Sequence, residues 1–144
     1  MNNLIKFFIL IIFFSGCKKS SPDSTTITKV EMHLSAFGVE SDDFPSIDVM
    51  IDFSENSSSC HKWFYSPEHE DSTYILNQNE MQSVLKLLEN SNLEELKKEY
   101  RVLESDQPSS KTIIYTGKNN FAIDDYGLVG EHPLQELYKI VYKY

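Results

Sequence analysis

The sequence predicts an α+β fold: a two-layer domain in which two or three helices pack on one face of a mainly antiparallel sheet. Three observations support this prediction. Several short segments alternate apolar and polar residues, which is typical of strands with one buried face. Other segments repeat apolar residues at helical spacing along a single stripe. The elements follow one another in the order strands, helix, strands, helix.

Strands are predicted throughout the first half of the domain. Val30, Met32 and Leu34 alternate with polar neighbours, and the segment that begins at Ile47 gives the cleanest alternation in the chain. A polar turn at 54–59 precedes an aromatic segment, which we expect to return as the second strand of a hairpin. The predicted strands are residues 27–34, 47–53, 60–66 and 73–76.

Three helical segments are predicted from the spacing of their apolar residues. Asn77 and Glu80 fit a capping box at the start of the first helix. Pro133 suits the first turn of the last helix. The apolar stripes are Met81, Val84, Leu85 and Leu88 in the first helix, Leu93, Leu96 and Tyr100 in a second, short helix, and Leu134, Leu137, Tyr138 and Val141 in the last.

A second hairpin is predicted between the helices. Its strands are residues 112–115 and 121–124, and the turn is the polar segment 117–120. Such a Gly- and Asn-containing connection between two alternating segments is a strong local signal for a hairpin.

The composition predicts one folded, acidic domain over residues 27–144. The chain has 144 residues, of which 40% are hydrophobic and 24% charged, and its net charge is −9. A segment of this length can bury a core without a metal or disulfide. The acidic surface repels phosphate backbones, so we expect no nucleic-acid partner.

The N-terminus predicts a lipoprotein signal peptide over residues 1–16. Lys6 precedes the apolar run 7–14, which is too short to span a bilayer, and Ser15 and Gly16 stand directly before Cys17. This arrangement resembles the lipobox of bacterial lipoproteins, in which the cysteine receives diacylglycerol. The alternatives are a plain secretory signal and an uncleaved anchor.

Residues 17–26 are predicted to be the lipidated Cys17 and a tether, because the segment is polar and contains a proline. Residues 18–25 span at most about 26 Å at about 3.3 Å per residue. We therefore expect the domain to lie close to its membrane, held by lipid on the periplasmic side of the outer membrane. With Cys17 modified, Cys60 remains as a free, half-buried strand residue.

An acidic segment holds the densest set of metal-ligand residue types, and its members are His61, Glu68, His69, Glu70 and Asp71. Zinc binds imidazole and carboxylate groups, but the spacing matches no zinc motif. The favoured interpretation is a solvated acidic loop, so the sequence predicts no metal and no cofactor.

Other carboxylates allow two further hypotheses. Asp124 and Asp125, with Asp106 in the preceding loop, could perform acid–base work if burial separated their pKa values, although acidic residues at strand ends more often form turns. Asp42 and Asp43 suggest calcium, but the alternating ligand pattern of a calcium loop is missing.

No specific motif in the sequence identifies a catalytic nucleophile or an aromatic pair that binds a partner. Cys60 and His61 are neighbours on a strand, so their side chains should point to opposite faces. Trp63 and Tyr65 share a face and could anchor a partner, but we expect most aromatic residues to lie in the core. No catalytic residue is therefore predicted.

The first half contains a strand followed by the segments 37–38 and 45–49, and the second half contains an acidic turn at 106–109, an Asp-Tyr loop at 125–127 and the start of a closing helix at 133–134. Over about residues 27–142, and more strongly in the second half, this order of motifs resembles a family of short Bacteroidota-type lipoproteins that carry domain of unknown function 6438. Ala36 and Phe44 stand where the family has cysteines, so its thiol chemistry would be absent. The resemblance implies no activity and no catalytic residues.

The expected function is a lipid-anchored envelope protein of the non-catalytic binding class, whose partner is a protein or an envelope component. Two alternatives remain open at this point. One is a metal-dependent or carboxylate-based hydrolase of the envelope, and the other is a purely structural envelope protein.

Overall fold

The structure, a computed structural model, describes residues 26–37, 39 and 43–143. The predicted signal peptide, the lipid-attachment residue Cys17, the tether up to residue 25 and Asp42 lie outside the described residues. Among the residues that are described, neither helix combines the length and the apolar character that a membrane crossing requires.

Seven strands, two α-helices and one short 3₁₀ helix make up the described fold. The strands are β1 (Ile27–Ser35), β2 (Ser46–Asp52), β3 (Ser57–Trp63), β4 (Ser72–Tyr74), β5 (Glu99–Arg101), β6 (Ser109–Thr116) and β7 (Asn120–Tyr126). The helices are α1 (Gln78–Glu89), the 3₁₀ helix (Leu93–Glu95) and α2 (Leu134–Val141).

The strands form a single sheet in the order β4-β3-β2-β1-β6-β7-β5, with β1 at its centre. β1 runs antiparallel to both neighbours, so that Leu34 faces Ile47 of β2 on one side and Ser110 of β6 on the other. β5 pairs parallel with β7, and every other pairing is antiparallel. The prediction of a mainly antiparallel sheet is confirmed.

Both helices cover the same face of this sheet, which confirms the two-layer α+β prediction. Alternate residues of the central strands point into one core, and the apolar stripes of the helices close over them. The buried helix residues are Met81, Val84, Leu88, Leu134, Leu137, Tyr138 and Val141. Because the core of the described residues runs from Ile27 to Tyr142, we expect the segment from Thr26 onward to fold without the N-terminal residues.

The predicted capping box fixes the start of α1. The side-chain oxygen of Asn77 accepts hydrogen bonds from the backbone N–H groups of Asn79 (2.9 Å) and Glu80 (3.0 Å). The Glu80 carboxylate in turn accepts the N–H of Asn77 at 2.7 Å. These contacts satisfy donors that a free helix end would expose, so the helix begins at a defined residue.

The C-terminal end of α2 is hydrogen-bonded to β4, which is an edge strand of the sheet. Tyr74 of β4 donates its hydroxyl to the carbonyl of Val141 at 2.8 Å, and Lys143 Nζ lies 2.6 Å from Glu80 of α1. The hydrogen bond from Lys143, together with the one from the Asn77 N–H, lowers the pKa of Glu80. The last helix is therefore fastened to both β4 and α1.

The predicted second helix is wrong over most of its length. Only Leu93–Glu95 form a 3₁₀ helix, and Tyr100 lies in β5, where it is buried opposite Asp125 of β7. Long-range pairing with β7 overrides the local helical spacing of Leu93, Leu96 and Tyr100. The third strand is also shifted, because Ser57 already pairs with Asp52 and the strand ends at Trp63.

Candidate functional site

The face of the sheet that the helices leave uncovered forms a groove of about 800 Å³, hereafter the open-face groove. It runs across β4, β3, β2, β1 and β6. Most of the side chains that line it alternate with the buried core residues along each strand. This volume lies in the range of small-molecule sites, which are concave and mostly apolar with a few placed polar groups.

Strand register places one polar side chain from each strand in a single line across the open face, hereafter the polar row. His33 of β1 lies between Asp48 of β2 and Lys111 of β6, and Asp48 is in turn opposite His61 of β3. Directly opposed residues bring their Cβ atoms within about 5 Å of each other. In spatial order the polar row comprises Thr73, His61, Asp48, His33, Lys111, Asp124 and Glu99.

His33 and Asp48 form a hydrogen-bonded pair within the polar row. Nδ1 of His33 lies 2.6 Å from Oδ1 of Asp48. Nε2 of His33 makes no hydrogen bond to another described residue, and the same holds for the side chains of His61 and Lys111. The ammonium of Lys111 and the two imidazole groups therefore line the groove, and the exposed carboxylates of Asp124 and Glu99 continue the polar row beyond it.

The floor beside the polar row is apolar. Met50 of β2 is 45% exposed and Ile75, which directly follows β4, is 70% exposed. Ile113 of β6 lines the same groove from the other side of β1. Exposed apolar side chains that line a concave surface mark ligand or interaction sites.

A clamp around Glu31 separates the two apolar parts of this floor. The Glu31 carboxylate lies 2.6 Å from Lys29 Nζ and accepts the hydroxyl of Tyr115 at 2.7 Å. These hydrogen bonds lower the pKa of Glu31, with that from Lys29 the larger cause. The ionised Glu31 carboxylate therefore lines the groove with both of its oxygens already hydrogen-bonded within the protein.

Comparisons with family models, with curated proteins and with solved structures find no match to this chain. The resemblance to the lipoprotein family with domain of unknown function 6438 thus stays a prediction. What the groove does has to be inferred from its own side chains.

The structure disperses the predicted set of metal-ligand residues. His61 belongs to the polar row, whereas His69 lies in the loop after β3. There its Nε2 is 2.8 Å from Asp43, and its ring packs at a tilt against Phe64 with 4.7 Å between the ring centroids. Across residues 26–37, 39 and 43–143, no three His, Cys, Asp or Glu side chains are arranged to hold a metal ion. Glu68, Glu70 and Asp71 are exposed, as a solvated acidic loop would be.

The paired carboxylates at the end of β7 point to opposite faces. Asp124 is exposed in the polar row, whereas Asp125 is 1% exposed on the core side. Asp125 accepts the N–H groups of Val129 and Gly130, each at 2.8 Å, and the hydroxyl of Tyr138 at 2.9 Å. The turn-forming interpretation fits Asp125, which holds the loop before α2. Asp106 is exposed in the loop before β6.

Cys60 and His61 lie on opposite faces of β3, as predicted from their adjacency. Cys60 is a free thiol that is fully rather than half buried in the core, and burial raises its pKa to about 11. His61 stands on the open face. The thiol is thus a core side chain, and the imidazole belongs to the groove.

The expectation of a core position is wrong for Tyr65, which is exposed beyond the end of β3. Its ring packs edge-on against Trp63, with 5.2 Å between the ring centroids. Trp63 is half-buried and lies two residues after His61 on the same face of β3. This aromatic pair therefore borders the polar row.

Sequence reasoning missed the open-face groove itself. His33, Asp48 and His61 each occupied a solvent-side strand position, which has no special meaning in an isolated strand. Their alignment depends on the register between three strands. The signal that could have indicated the groove was the presence of a histidine at a solvent-side position in each of two predicted strands.

Proposed function

We propose that this chain is a lipid-anchored protein of the bacterial cell envelope that binds a ligand in the open-face groove. The observation that carries the binding part is the groove: an uncovered concave face with an apolar floor beside a row of hydrogen-bonding side chains. Ligand sites commonly combine an apolar lining with a few polar groups that fix orientation. The anchor part is supported by the sequence around Cys17.

The anchor is tested by metabolic labelling with a radioactive fatty acid. We expect label on the wild-type protein and none on Cys17→Ala. The matched control is Cys60→Ala, which removes the other of the two cysteines and should retain the label. Unlabelled wild-type protein in the soluble fraction would refute the anchor.

The binding part is tested in cells by placing a photo-crosslinking amino acid at Met50 in the groove. The control position is Leu103, an apolar residue that is fully exposed outside the groove. We expect light-dependent adducts, with lipid or protein, at position 50 only. Equal adducts at both positions, or none at either, would favour the purely structural alternative.

One specific observation favours hydrolysis as a second candidate function. A carboxylate that holds one nitrogen of an imidazole leaves the other free to accept a proton from water, and His33 with Asp48 has this arrangement. Hydrolysis of p-nitrophenyl esters that is lost in His33→Ala would support the candidate. His69→Ala, which breaks the other His–Asp pair outside the groove, should leave that activity unchanged.

A further inference from the structure

We propose that the open face of the sheet binds a second copy of this chain, so that two sheets pack face to face across a twofold axis. The proposal rests on the proposed function of this face as a binding surface, and it names the partner. It is carried by the order of side chains across the strands, which is self-complementary about β1.

The symmetry of a face-to-face dimer decides which strands meet. A twofold axis between two facing sheets lies in the plane midway between them, and each contact across it occurs twice. Facing sheets pack about 10 Å apart, with their strands within about 30° of each other. If the axis runs along β1, this central strand faces its own copy. In that arrangement β2 faces β6 of the second copy, and β3 faces β7.

The polar row is complementary under this symmetry. Asp48 on β2 faces Lys111 of the second copy, and Lys111 faces its Asp48 in return. His61 on β3 likewise faces Asp124 of β7, while His33 lies at the axis. The dimer therefore gains two ionic pairs and two pairs of an imidazole with a carboxylate, and contacts of this kind are the stronger class of hydrogen bond.

Three of these side chains have no such partner within one chain. Lys111 and His61 are exposed and make no side-chain hydrogen bond to another described residue. Asp124 is exposed and makes no ion pair in the part of the chain that the structure describes, although it stands opposite Lys111. The mixture of donors and acceptors in the polar row does not select an anion or a cation, but it matches its own reversed order.

The neighbouring row of the open face is complementary about the same axis. In spatial order it comprises Ser59, Met50, Glu31, Ile113 and Ala122. Met50 faces Ile113 of the second copy, so the apolar groups that Glu31 separates within one chain meet across the interface. Glu31 lies at the axis as a neutral unit with Lys29, whose Nζ is 2.6 Å away in the same chain.

The open face has the size that a stable dimer requires. Its five long strands have seven to nine residues each and cover about 24 Å across the sheet and about 24 Å along it, or roughly 580 Å² in flat projection. A standard interface buries about 800 Å² of accessible surface on each partner. A surface with protruding side chains exceeds its flat projection, and the two edge strands add to it.

The net charge of −9 on each chain opposes association at long range. At 0.15 M salt the screening length is about 8 Å, so repulsion between distant parts of the two copies is largely removed, whereas buried contacts are screened much less. We therefore expect dimerisation at physiological salt.

The test is a charge exchange, followed by sedimentation equilibrium of the chain from Lys18 onward, which contains the whole core of the described residues and lacks the lipid. We expect the wild type to be dimeric at about 100 μM, which requires only a micromolar Kd. Asp48→Lys and Lys111→Asp each place two like-charge pairs in their own dimer. Each variant alone should therefore associate at least about a hundredfold more weakly.

An equal mixture of the two variants should dimerise again. In the mixed dimer the new lysine of one chain faces the new aspartate of the other, and the unchanged Lys111 faces the unchanged Asp48. The matched controls are Glu89→Lys on α1 and Lys139→Asp on α2, which reverse exposed charges on the helical layer and should leave the dimer intact. Circular dichroism verifies that each variant is folded.

An apolar substitution tests the second row. Met50→Ser should weaken the dimer about tenfold, because Met50 loses its contact with Ile113 of the second copy. Leu103→Ser removes an apolar side chain that is exposed in the loop after β5, and it should leave the dimer unchanged.

Three outcomes would overturn the inference. A wild-type chain that is monomeric at this concentration refutes it. A dimer that both charge reversals leave intact has its interface elsewhere. If each variant alone is monomeric and the mixture is monomeric too, Asp48 does not face Lys111 and the axis along β1 is wrong.

Failure of the inference is distinguishable from failure of the proposed function. If the chain is monomeric but a photo-crosslinker at Met50 captures a different molecule, the partner is wrong and the open-face groove stands as a binding site. If the chain is monomeric and nothing is captured at Met50, both fail.

Discussion

The buried carboxylate of Asp125 allows a quantitative test of how α2 is held on the sheet. Asp125→Ala removes three hydrogen-bond acceptor contacts at once, to the N–H groups of Val129 and Gly130 and to the hydroxyl of Tyr138. The side chain is 1% exposed, so water cannot replace the lost acceptor without opening the structure. We therefore expect a large loss of stability.

The magnitude follows from the number of these contacts and from their burial. A typical hydrogen bond contributes about 1 kcal/mol net, so the loss of three amounts to about 3 kcal/mol. For a domain of this size that corresponds to a fall in melting temperature of about 12 °C.

Urea unfolding followed by Trp63 fluorescence and by circular dichroism measures this loss. The matched control is Asp124→Ala, which removes the neighbouring carboxylate on the open face and should change the free energy of unfolding by less than about 0.5 kcal/mol. Asp125→Asn, which keeps one acceptor oxygen, should fall between the two. A loss below about 1 kcal/mol for Asp125→Ala would refute the role assigned to this side chain.

Three further predictions concern single side chains. Thr112→Val should raise the free energy of unfolding by about 1 kcal/mol in thermal or urea melts, because the buried Thr112 hydroxyl lacks a partner within the described residues. Cys60 should react with a thiol reagent at mildly alkaline pH only after unfolding, since burial raises its pKa to about 11; rapid labelling of the folded protein would contradict this. Glu80→Gln should lose its destabilising effect as the pH falls from neutral to about 3. The reason is that the pKa of Glu80 is lowered in the folded state, so the ionised carboxylate stabilises the fold above the unfolded-state pKa and this stabilisation disappears when Glu80 is protonated. A difference in urea midpoints between wild type and Glu80→Gln that does not change with pH would refute this prediction.

Local patterns were sufficient to predict most elements of the fold. The alternation around Val30 and Ile47 reflects burial against one core, and the capping box at Asn77 is made by contacts within four residues of each other. These signals depend on short-range geometry. By contrast, Tyr100 was assigned to a helix because nothing in its neighbourhood encodes the parallel pairing of β5 with β7.

The candidate site was beyond local reasoning for the same physical cause. His33, Asp48 and His61 come together only because β1, β2 and β3 pair in one particular register, and a shift by one residue would point each of them into the core. The role of Asp125 was similarly hidden, because its acceptor contacts depend on the path of the loop before α2. Residue types identified the candidates, but pairing decided which of them meet.

The central position of β1 has a consequence for the order in which the domain assembles. β1 leaves the ribosome before the other six described strands, yet one of its two neighbours, β6, begins at Ser109. The contacts between them close a loop of most of the domain, and such distant contacts form late. Until residues 109–116 arrive, the β1–β4 meander has an open hydrogen-bonding edge along β1, the kind of surface on which growing chains aggregate. The domain is therefore exposed to aggregation during synthesis along its middle strand, β1. Once it is complete, its two edge strands are only three residues long, so they present few unpaired backbone groups to another chain.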